Sequence, residues 1–466
     1  MAIVQENCKK ICFFTLGCRL NTAESDALAS KFLKKGFALV SSKNKAERPD
    51  VVFINTCSVT ADADATSRHI IRKMRREHAQ AVIVVSGCFA ENRREELASM
   101  LMADLCLSIA DKEADDLVER VEALLRCRNG GIGGDGGGDS VGVRGVRDGV
   151  QHRIRTRAFV KVQDGCDYFC AYCIVPHVRG RARSLPIPTV LADVRQLLCA
   201  CPDESAPKEI VLTGVNIGSG KNFKQLILEM VKLERELPQL RRWRISSIEP
   251  NTVDDELLNI LKSSSAFQPY FHIPLQSGSE RILQKMGRRY SCVEYRRVVE
   301  NILTYFPRAG IGADVIVGYL GEGDTDFMEC QAFIRELPLT HLHVFPYSPR
   351  EKTRAFLEWN NQKSLRVDSH DLKQRTKILR ELGEVKLATF ANKMCGTQAE
   401  VLFEGRVAIG ESGEKIHKGY TGNYLEVGAV GSKLKNQIMN VKLERVVISG
   451  NNGNGGKSYI LSKLLN

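Results

Sequence analysis

The sequence contains no run of apolar residues that approaches the roughly 20 needed for a helix to cross a bilayer. Its first residues, MAIVQENCKKICFF, lack the charged start, the long apolar stretch and the small-residue cleavage site of a secretion signal. Hydrophobic residues make up 43% and charged residues 26% of the chain, which are ordinary shares for a globular protein. These features predict a cytoplasmic protein that has no membrane partner.

A disulfide framework is not expected either, although cysteine is abundant. The chain has 15 cysteines, an odd number, and no signal that would carry it to an oxidising compartment. Cysteines in such a chain are more typical of metal binding or catalysis, and their positions decide between these roles.

Positive charge outweighs negative charge, with a formal net charge of +12. Part of it lies in the basic stretch RHIIRKMRR (68–76), and further arginines flank one cysteine cluster: Arg153, Arg155, Arg157, Arg179, Arg181 and Arg183. Arginines beside a reactive site suggest a polyanionic substrate held by its phosphates. The alternative is a basic enzyme whose arginines are merely solvated.

Residues 1–128 are predicted to form the first domain, because a strand followed by a helix occurs there three times. The strands KKICFFTLGC, DVVFINTC and AVIVVSGC end in Cys18, Cys57 and Cys88. Strands that alternate with helices predict a parallel, doubly wound sheet. Because ligands collect at the carboxyl edge of such sheets, the three cysteines can meet at one spot.

The rest of the chain is predicted to hold a linker and two further domains. Residues 129–151 are rich in glycine without apolar periodicity, which predicts a flexible linker. Residues 152–395 return to alternating strands and helices and fit a partial six-βα barrel, with chemistry at the carboxyl ends of the strands. The six predicted strands are 157–163, 209–214, 242–248, 270–276, 312–318 and 341–347.

Short strands punctuated by glycine predict a small β-barrel over residues 396–449, and residues 450–466 are expected to be a loose tail. The expected fold class is therefore α/β, with a doubly wound parallel sheet, a partial barrel and a small C-terminal β-barrel.

The sharpest motif is GCDYFCAYC, in which Cys166, Cys170 and Cys173 have the spacing C-x3-C-x2-C. A zinc site usually needs four ligands in paired spacings, whereas this loop offers three cysteines and no histidine. Three thiolates fit a 4Fe-4S cluster that leaves one iron open to a small molecule.

This motif at the start of a six-βα barrel resembles the radical S-adenosylmethionine (SAM) superfamily. The resemblance implies that the open iron holds SAM and that an electron from the cluster cleaves SAM to a 5′-deoxyadenosyl radical. It also implies SAM contacts at the strand ends, where the alternative is ordinary turn residues: Gly214, Ser246, Ser247, Gln276 and the backbone of Val317. The sequence identifies no catalytic residue beyond the cluster ligands.

With TLGCRLN, INTCSVT and SGCFAE added, residues 10–448 resemble the radical SAM methylthiotransferase family. The resemblance implies a second 4Fe-4S cluster on Cys18, Cys57 and Cys88, which delivers sulfur, and a C-terminal RNA-binding domain of the TRAM type. Within this family, one group methylthiolates carbon 2 of N6-threonylcarbamoyladenosine at tRNA position 37. The chain is most similar to that group in the segments NTCSVT, TADADATSRHIIRK and RISSIEP. The implied partners are a tRNA anticodon loop, a reduced ferredoxin- or flavodoxin-type electron donor and an unidentified sulfur donor.

Other functions compete with this hypothesis. The substrate could be isopentenyladenosine in tRNA, or the chain could be a non-enzymatic iron–sulfur carrier or an RNA-binding protein with structural zinc. The histidines, including His272, are interpreted as ordinary residues. Leu320 departs from the family pattern, which has proline after its glycine–aromatic pair.

Overall fold

The computed structural model describes residues 8–41, 47–128, 155–199, 206–410, 413–448 and 458–465. The chain divides into two compact units. The first comprises Met1–Ile154 and His177–Arg179, and the second comprises Arg155–Pro176 and Gly180–Asn466. The predicted linker at 129–151 and Arg153 lie outside the described residues, and the predicted domain boundaries stay predictions.

The first unit contains a five-stranded sheet flanked by helices. Its strands are β1 (Lys10–Thr15), β2 (Ala38–Leu39), β3 (Val51–Thr56), β4 (Val82–Gly87) and β5 (Leu105–Cys106). Its helices are α1 (Arg19–Lys34), α2 (Ala61–Glu77), α3 (Cys88–Asn92), α4 (Arg94–Met100) and α5 (Leu117–Arg128). The strand order is β2-β1-β3-β4-β5, and every neighbouring pair is parallel.

Helices cover both faces of this sheet, which explains why every residue of β3 and β4 is buried. Phe32 of α1 and Val121 of α5 pack in the core on one face. Ile71 of α2 and Leu97 of α4 pack in the core on the other. The predicted doubly wound parallel sheet is confirmed, with the two-residue strands β2 and β5 added at its edges.

The part of the second unit that precedes the C-terminal barrel contains six parallel strands, a short antiparallel pair and nine α-helices among its described residues. The strands are β6 (Arg157–Lys161), β7 (Gln163–Asp164), β8 (Arg183–Ser184), β9 (Glu209–Thr213), β10 (Trp243–Ile245), β11 (Tyr270–His272), β12 (Gly310–Val317) and β13 (His341–Pro346). The helices are α6 (Val175–Arg179), α7 (Ile187–Cys199), α8 (Phe223–Glu236), α9 (Asp255–Lys262), α10 (Glu280–Met286), α11 (Cys292–Tyr305), α12 (Asp324–Glu336), α13 (Arg354–Asn361) and α14 (Ser369–Met394). Only the first part of α6, before His177, belongs to this unit.

The parallel strands form two three-stranded sheets in the orders β10-β9-β6 and β11-β12-β13. A parallel bridge between Ser247 and His272 joins the sheets, so the six strands follow one another in chain order. The alternation of buried apolar side chains along them places one face against the surrounding helices, in a core that includes Leu212, Phe271 and Val315. The predicted partial six-βα barrel is confirmed.

The C-terminal strands form a closed barrel in the order β14-β15-β16-β18-β17. They are β14 (Gln398–Ile409), β15 (Lys415–Thr421), β16 (Glu426–Val430), β17 (Ile438–Ile448) and β18 (Ser458–Leu464). The prediction of a loose tail over 450–466 is wrong for β18, which pairs with β16 and β17 and buries Ile460 completely. The glycine- and asparagine-rich stretch before it hid the short alternating pattern of SYILSKL.

The small barrel contacts the amino ends of the parallel strands through a buried charge cluster. Glu209, the first residue of β9, pairs with Arg157 at 2.8 Å, Arg242 at 3.1 Å and Arg244 at 2.8 Å. Arg244 also donates to the carbonyl of Gly422 at 3.1 Å, and the Tyr424 ring stacks on Tyr270. The prediction that Arg157 binds substrate phosphate is therefore wrong, because its guanidinium is committed to this internal cluster.

Candidate metal centres

The motif Cys166, Cys170 and Cys173 lies on the loop that leaves β7. The backbone at Gly165 has φ +68°, and a Cβ atom there would lie 2.0 Å from the Arg181 carbonyl oxygen, so glycine is required at this turn. The chain then folds back, with the Cys166 N–H donating to the Gly180 carbonyl and the Cys173 N–H to the Cys170 carbonyl. These bonds gather the three thiols into one loop.

Burial and mutual charge act together on these thiols. Burial is the main cause that raises the pKa of Cys173 to about 12, and the neighbouring Cys170 and Cys166 contribute to that rise. Burial likewise raises the pKa of Cys170, with Cys166 contributing. Three thiolates held this close repel one another unless a cation binds them, which is the condition that a bound metal cluster satisfies.

A buried arginine lies beside this loop. Arg288 Nη1 donates to Cys170 Sγ at 3.2 Å and to the Tyr172 hydroxyl at 3.3 Å. Its guanidinium also pairs with Glu249 and lies over the Tyr290 ring. Sequence reasoning missed Arg288 and Glu249, since both lie far from the cysteines along the chain and charged side chains are usually solvated.

The residues predicted to contact SAM follow the carboxyl ends of the parallel strands. Gly214 follows β9, and a Cβ there would lie 2.8 Å from the Gln163 carbonyl oxygen. Ser246 and Ser247 follow β10, and Gln276 takes a left-handed conformation with φ +67°. Val317 ends β12, but its side chain is in the core and its carbonyl accepts from the Tyr347 N–H. All five stay predictions.

Buried polar atoms near these strand ends fit a polar small molecule. Within the described residues, Ser246 Oγ, Asn216 Oδ1 and the Tyr347 hydroxyl have no hydrogen-bond partner. Such atoms are rare in folded proteins unless a ligand or water completes them. Asn216 also brings its Nδ2 atom to 3.8 Å from Cys166 Sγ, and it escaped prediction although it lies two residues after Gly214.

The first unit gathers Cys18, Cys57 and Cys88 at the carboxyl edge of its sheet. Cys18 precedes α1, Cys57 follows β3 and Cys88 begins α3. Gly17 has φ +88°, and a Cβ there would overlap Cys57 Sγ at 2.6 Å, so the glycine permits the close approach. Burial is the main cause that raises the pKa of Cys57 to about 11, and Cys88 and Cys18 contribute to that rise, so the three thiols are electrostatic neighbours. Their role as cluster ligands stays a prediction.

A second buried arginine lies beside Cys88. Arg179 Nε donates to Cys88 Sγ at 3.3 Å, while its Nη atoms donate to Glu24 at 2.8 Å and to Asn21 Oδ1 at 2.7 Å. Lys112 pairs with the other oxygen of Glu24. Burial raises the pKa of the Cys88 thiol, and Arg179 and Lys112 oppose that rise. The prediction that Arg179 holds substrate phosphate is therefore wrong, whereas Arg181, with 74% of its side chain exposed, remains accessible.

Comparisons with known proteins agree with this architecture. Residues 10–108 match the model described as "Uncharacterized protein family UPF0004", and residues 160–334 match the model of the radical SAM superfamily. A threonylcarbamoyladenosine tRNA methylthiotransferase from Aquifex aeolicus is 34% identical, over 93% of this chain and 99% of its own length. The chain belongs to the radical SAM methylthiotransferase family.

Other relatives of this methylthiotransferase extend the comparison. A protein with the same name from Bacillus subtilis is 31% identical over 95% of each chain. A tRNA-2-methylthio-N(6)-dimethylallyladenosine synthase from Endomicrobium trichonymphae is 27% identical over 90% of this chain and 97% of its own. The solved structure of the radical SAM methyltransferase TsrM from Kitasatospora setae, with cobalamin and a 4Fe-4S cluster bound, aligns with TM-score 0.57 at 16% identity, over 76% of this chain and 78% of that one. That likeness shows a shared fold.

Enzymes of this family use SAM and 4Fe-4S clusters, and the two sets of three thiols in this methylthiotransferase fit such clusters. Leu320, where the family has proline, is fully buried in an apolar cluster with Ala171 and Met286 beside the Cys166–Cys173 loop. No helix in the described parts of the chain combines the length and apolarity needed to cross a membrane.

Proposed function

We propose that this methylthiotransferase attaches a methylthio group to carbon 2 of N6-threonylcarbamoyladenosine at position 37 of tRNA. The similarity to the Aquifex aeolicus relative, which extends over nearly the full length of both chains, carries the proposal. The chemistry of carbon 2 also supports the proposal. A C–H of the adenine ring has no acidic proton for a general base to remove, so its replacement requires the radical chemistry that a cofactor supplies.

Each set of three cysteines has its own proposed role. Cys166, Cys170 and Cys173 hold the cluster that binds SAM, and Cys18, Cys57 and Cys88 hold the cluster for sulfur delivery. When bound, SAM and the clusters supply a 5′-deoxyadenosyl radical and a transferable sulfur.

The side chains around the first set of cysteines bind and orient SAM. Ser246 Oγ and Asn216 Oδ1, both buried, offer hydrogen bonds to polar groups of SAM. The missing side chain of Gly214 leaves room for Gln163 at the end of β9. Gly214, Ser247, Gln276 and the backbone of Val317 complete the proposed contacts. Arg288 holds the Cys170 side chain in place through its hydrogen bond to Sγ. Burial of Cys170 keeps water away from this proposed cluster ligand.

The small β-barrel is proposed to bind RNA as a TRAM-like domain, and the other proposed partners are a ferredoxin- or flavodoxin-type reductant and a separate sulfur donor. A tRNA anticodon loop supplies an unpaired base, so presenting adenosine 37 to a pocket requires little unstacking. Exposed arginines such as Arg181 are available for its phosphates.

Nucleoside mass analysis of tRNA from cells lacking the protein tests the proposal. We expect the methylthio form of threonylcarbamoyladenosine to disappear and its unmethylthiolated precursor to accumulate, with recovery on re-expression. Loss of methylthio-isopentenyladenosine instead would assign the substrate of the Endomicrobium relative, and an unchanged profile would reject both substrates.

A further inference from the structure

Three polar side chains meet on neighbouring strands of the partial barrel formed by β6 and β9–β13, called the half-barrel below. His272 of β11, Asp314 of β12 and His343 of β13 share one carboxylate oxygen, which accepts from His272 Nε2 at 3.0 Å and lies 3.3 Å from His343 Nδ1. The two imidazole rings are 5.2 Å apart. Asp314 and His343 are register partners in the sheet, so the backbone itself sets the contact.

These side chains point away from the helix-covered face. Phe271, Ala313 and Val344, their neighbours along the three strands, pack in the core under the helices. Because successive side chains alternate between faces, His272, Asp314 and His343 lie on the inner face of the half-barrel. Phe345 is on that face too, two residues after His343.

The Asp314 carboxylate holds both histidines in place through its contacts with their ring nitrogens. Burial alone would raise its pKa, but the hydrogen bonds and charges of His272 and His343 hold that pKa well below its usual range. The ionised carboxylate fixes Nδ1 of His343 and leaves Nε2 on the opposite side of the ring. His341, by contrast, is half-buried against Tyr270 and Tyr424, and desolvation lowers its pKa to about 4.

Two rings on this inner face remain accessible. The side chain of His343 is 53% exposed and Phe345 is 43% exposed, with the ring centroids 6.5 Å apart and the rings perpendicular. The Ile248 N–H donates to the His272 carbonyl at 3.0 Å, and the next residue, Glu249, pairs with Arg288, which donates to Cys170. An exposed aromatic ring and an anchored imidazole therefore adjoin the surroundings of the proposed SAM cluster.

We propose that Phe345 and His343 form the recognition site for the substrate nucleoside, with Phe345 stacking on the purine and His343 hydrogen-bonding the polar substituent on N6. This inference rests on the proposed function and adds the residues that select its substrate. Aromatic side chains are the usual stacking platforms for unpaired bases.

The chemistry of the two possible substrates makes His343 selective. The threonylcarbamoyl group carries a carboxylate, a hydroxyl and amide groups, whereas an isopentenyl group is pure hydrocarbon. Nε2 of His343 can accept from a hydroxyl or an N–H, or donate to a carboxylate when the ring is protonated. Against a hydrocarbon it would lose these bonds, and a site built to hydrogen-bond a group rejects an analogue that lacks it.

The test compares two tRNAs on the reconstituted full-length enzyme with SAM under anaerobic conditions. One tRNA carries threonylcarbamoyladenosine at position 37, and the other is the same tRNA with unmodified adenosine. We expect the wild type to prefer the modified tRNA by about tenfold in Kd, which corresponds to the roughly 1.4 kcal/mol that one good hydrogen bond contributes. His343→Phe, which keeps an aromatic ring but removes both nitrogens, is expected to abolish this preference.

Three further variants make the result specific. His370→Phe changes an exposed histidine on α14 in the same way and should keep the preference. Phe345→Ala should weaken binding of both tRNAs while keeping their ratio. His343→Gln, which restores a hydrogen-bonding side chain, should recover part of the preference. Iron content and melting temperature confirm that each variant is folded and loaded. If His343→Phe does not fold, His343→Gln carries the test, with a preference expected to be smaller than that of the wild type.

Two outcomes would overturn the inference, and they differ in what else they reject. If the wild type forms the methylthio product and His343→Phe keeps the preference for modified tRNA, only the role of His343 fails. If the wild type forms no methylthio product from threonylcarbamoyladenosine, the proposed function fails and this inference fails with it.

Discussion

In each set of three cysteines, one sulfur accepts a hydrogen bond from a buried arginine. Arg288 donates to Cys170 and is held by Glu249, and Arg179 donates to Cys88 and is held by Glu24. A hydrogen-bonded cation beside a thiolate stabilises negative charge, and the hydrogen bonds around cluster sulfurs set reduction potentials. The arginines therefore offer a way to control how readily each proposed cluster accepts an electron.

Replacing Arg288 by glutamine tests this role directly. The change removes a positive charge and the donor to Cys170 Sγ, so the more negative, reduced state of the cluster loses stabilisation and the midpoint potential should fall. Redox titration followed by electron paramagnetic resonance measures the shift. Arg296→Gln, which breaks an exposed pair with Glu336, is the matched control. An unaltered potential in Arg288→Gln would show that the arginine is only structural.

At the scale of elements, β18 is the least expected part of the fold. It completes the small barrel between β16 and β17, and its Ile460 side chain packs with Val401 of β14 and Val427 of β16 in the barrel core. Without this strand the barrel would have two unpaired edges.

Substitution on the two faces of β18 separates core packing from surface effects. Ile460→Ala should destabilise the small barrel by about 2–5 kcal/mol, because it opens a cavity in a fully buried position. Lys463→Ala, at an exposed position of the same strand, should change the stability by no more than about 0.5 kcal/mol. Calorimetry of both variants measures the difference, and equal effects would argue against the pairing of β18.

The contrast between β18 and the other strands shows what the sequence can reveal. The six barrel strands and the three strands that precede Cys18, Cys57 and Cys88 are predicted because each apolar pattern is local. The contacts of Arg179 and Arg288 are not predicted, because they join residues that are distant along the chain and depend on how the fold buries charge. The cluster of His272, Asp314 and His343 escaped notice for the same reason, because only strand register brings those three side chains together.

At the scale of the whole second unit, one carboxylate holds three guanidiniums where the small barrel meets the half-barrel. Burial alone would raise the pKa of Glu209, but Arg244, Arg157 and Arg242 hold it well below its usual range. The cluster thus stays ionised and links strands β6, β9 and β10 to the β15–β16 turn.

Glu209→Gln should destabilise the second unit by about 3–5 kcal/mol at neutral pH, since it leaves buried guanidiniums without their counter-charge. The sign of the pH dependence follows from the lowered pKa. The stabilisation by Glu209 is complete above the ordinary glutamate pKa of about 4.3 and is lost as the pH falls toward the lower folded-state value. The gap between wild type and variant should therefore narrow in acid. Glu236→Gln, which removes an exposed pair with Arg195, should show no such gap.

The two sets of cysteines should also load independently. Fully reconstituted enzyme should contain about eight iron atoms per chain, from two four-iron clusters. Cys57→Ala should lose about half of that iron and still form 5′-deoxyadenosine from SAM, whereas Cys170→Ala should lose a similar amount and form none. Iron and product analysis measure both results. Zinc in place of iron in the wild type would contradict the cluster assignment.

The position of β18 has a consequence for synthesis on the ribosome. Domains fold progressively as the chain emerges, but this barrel cannot close until residues 458–464 have left the exit tunnel. Until then, β16 and β17 present open backbone groups to solvent and to neighbouring nascent chains. A message truncated just before this strand would yield a protein that contains all of its cysteines but has an open barrel, whose unpaired strand edges favour aggregation.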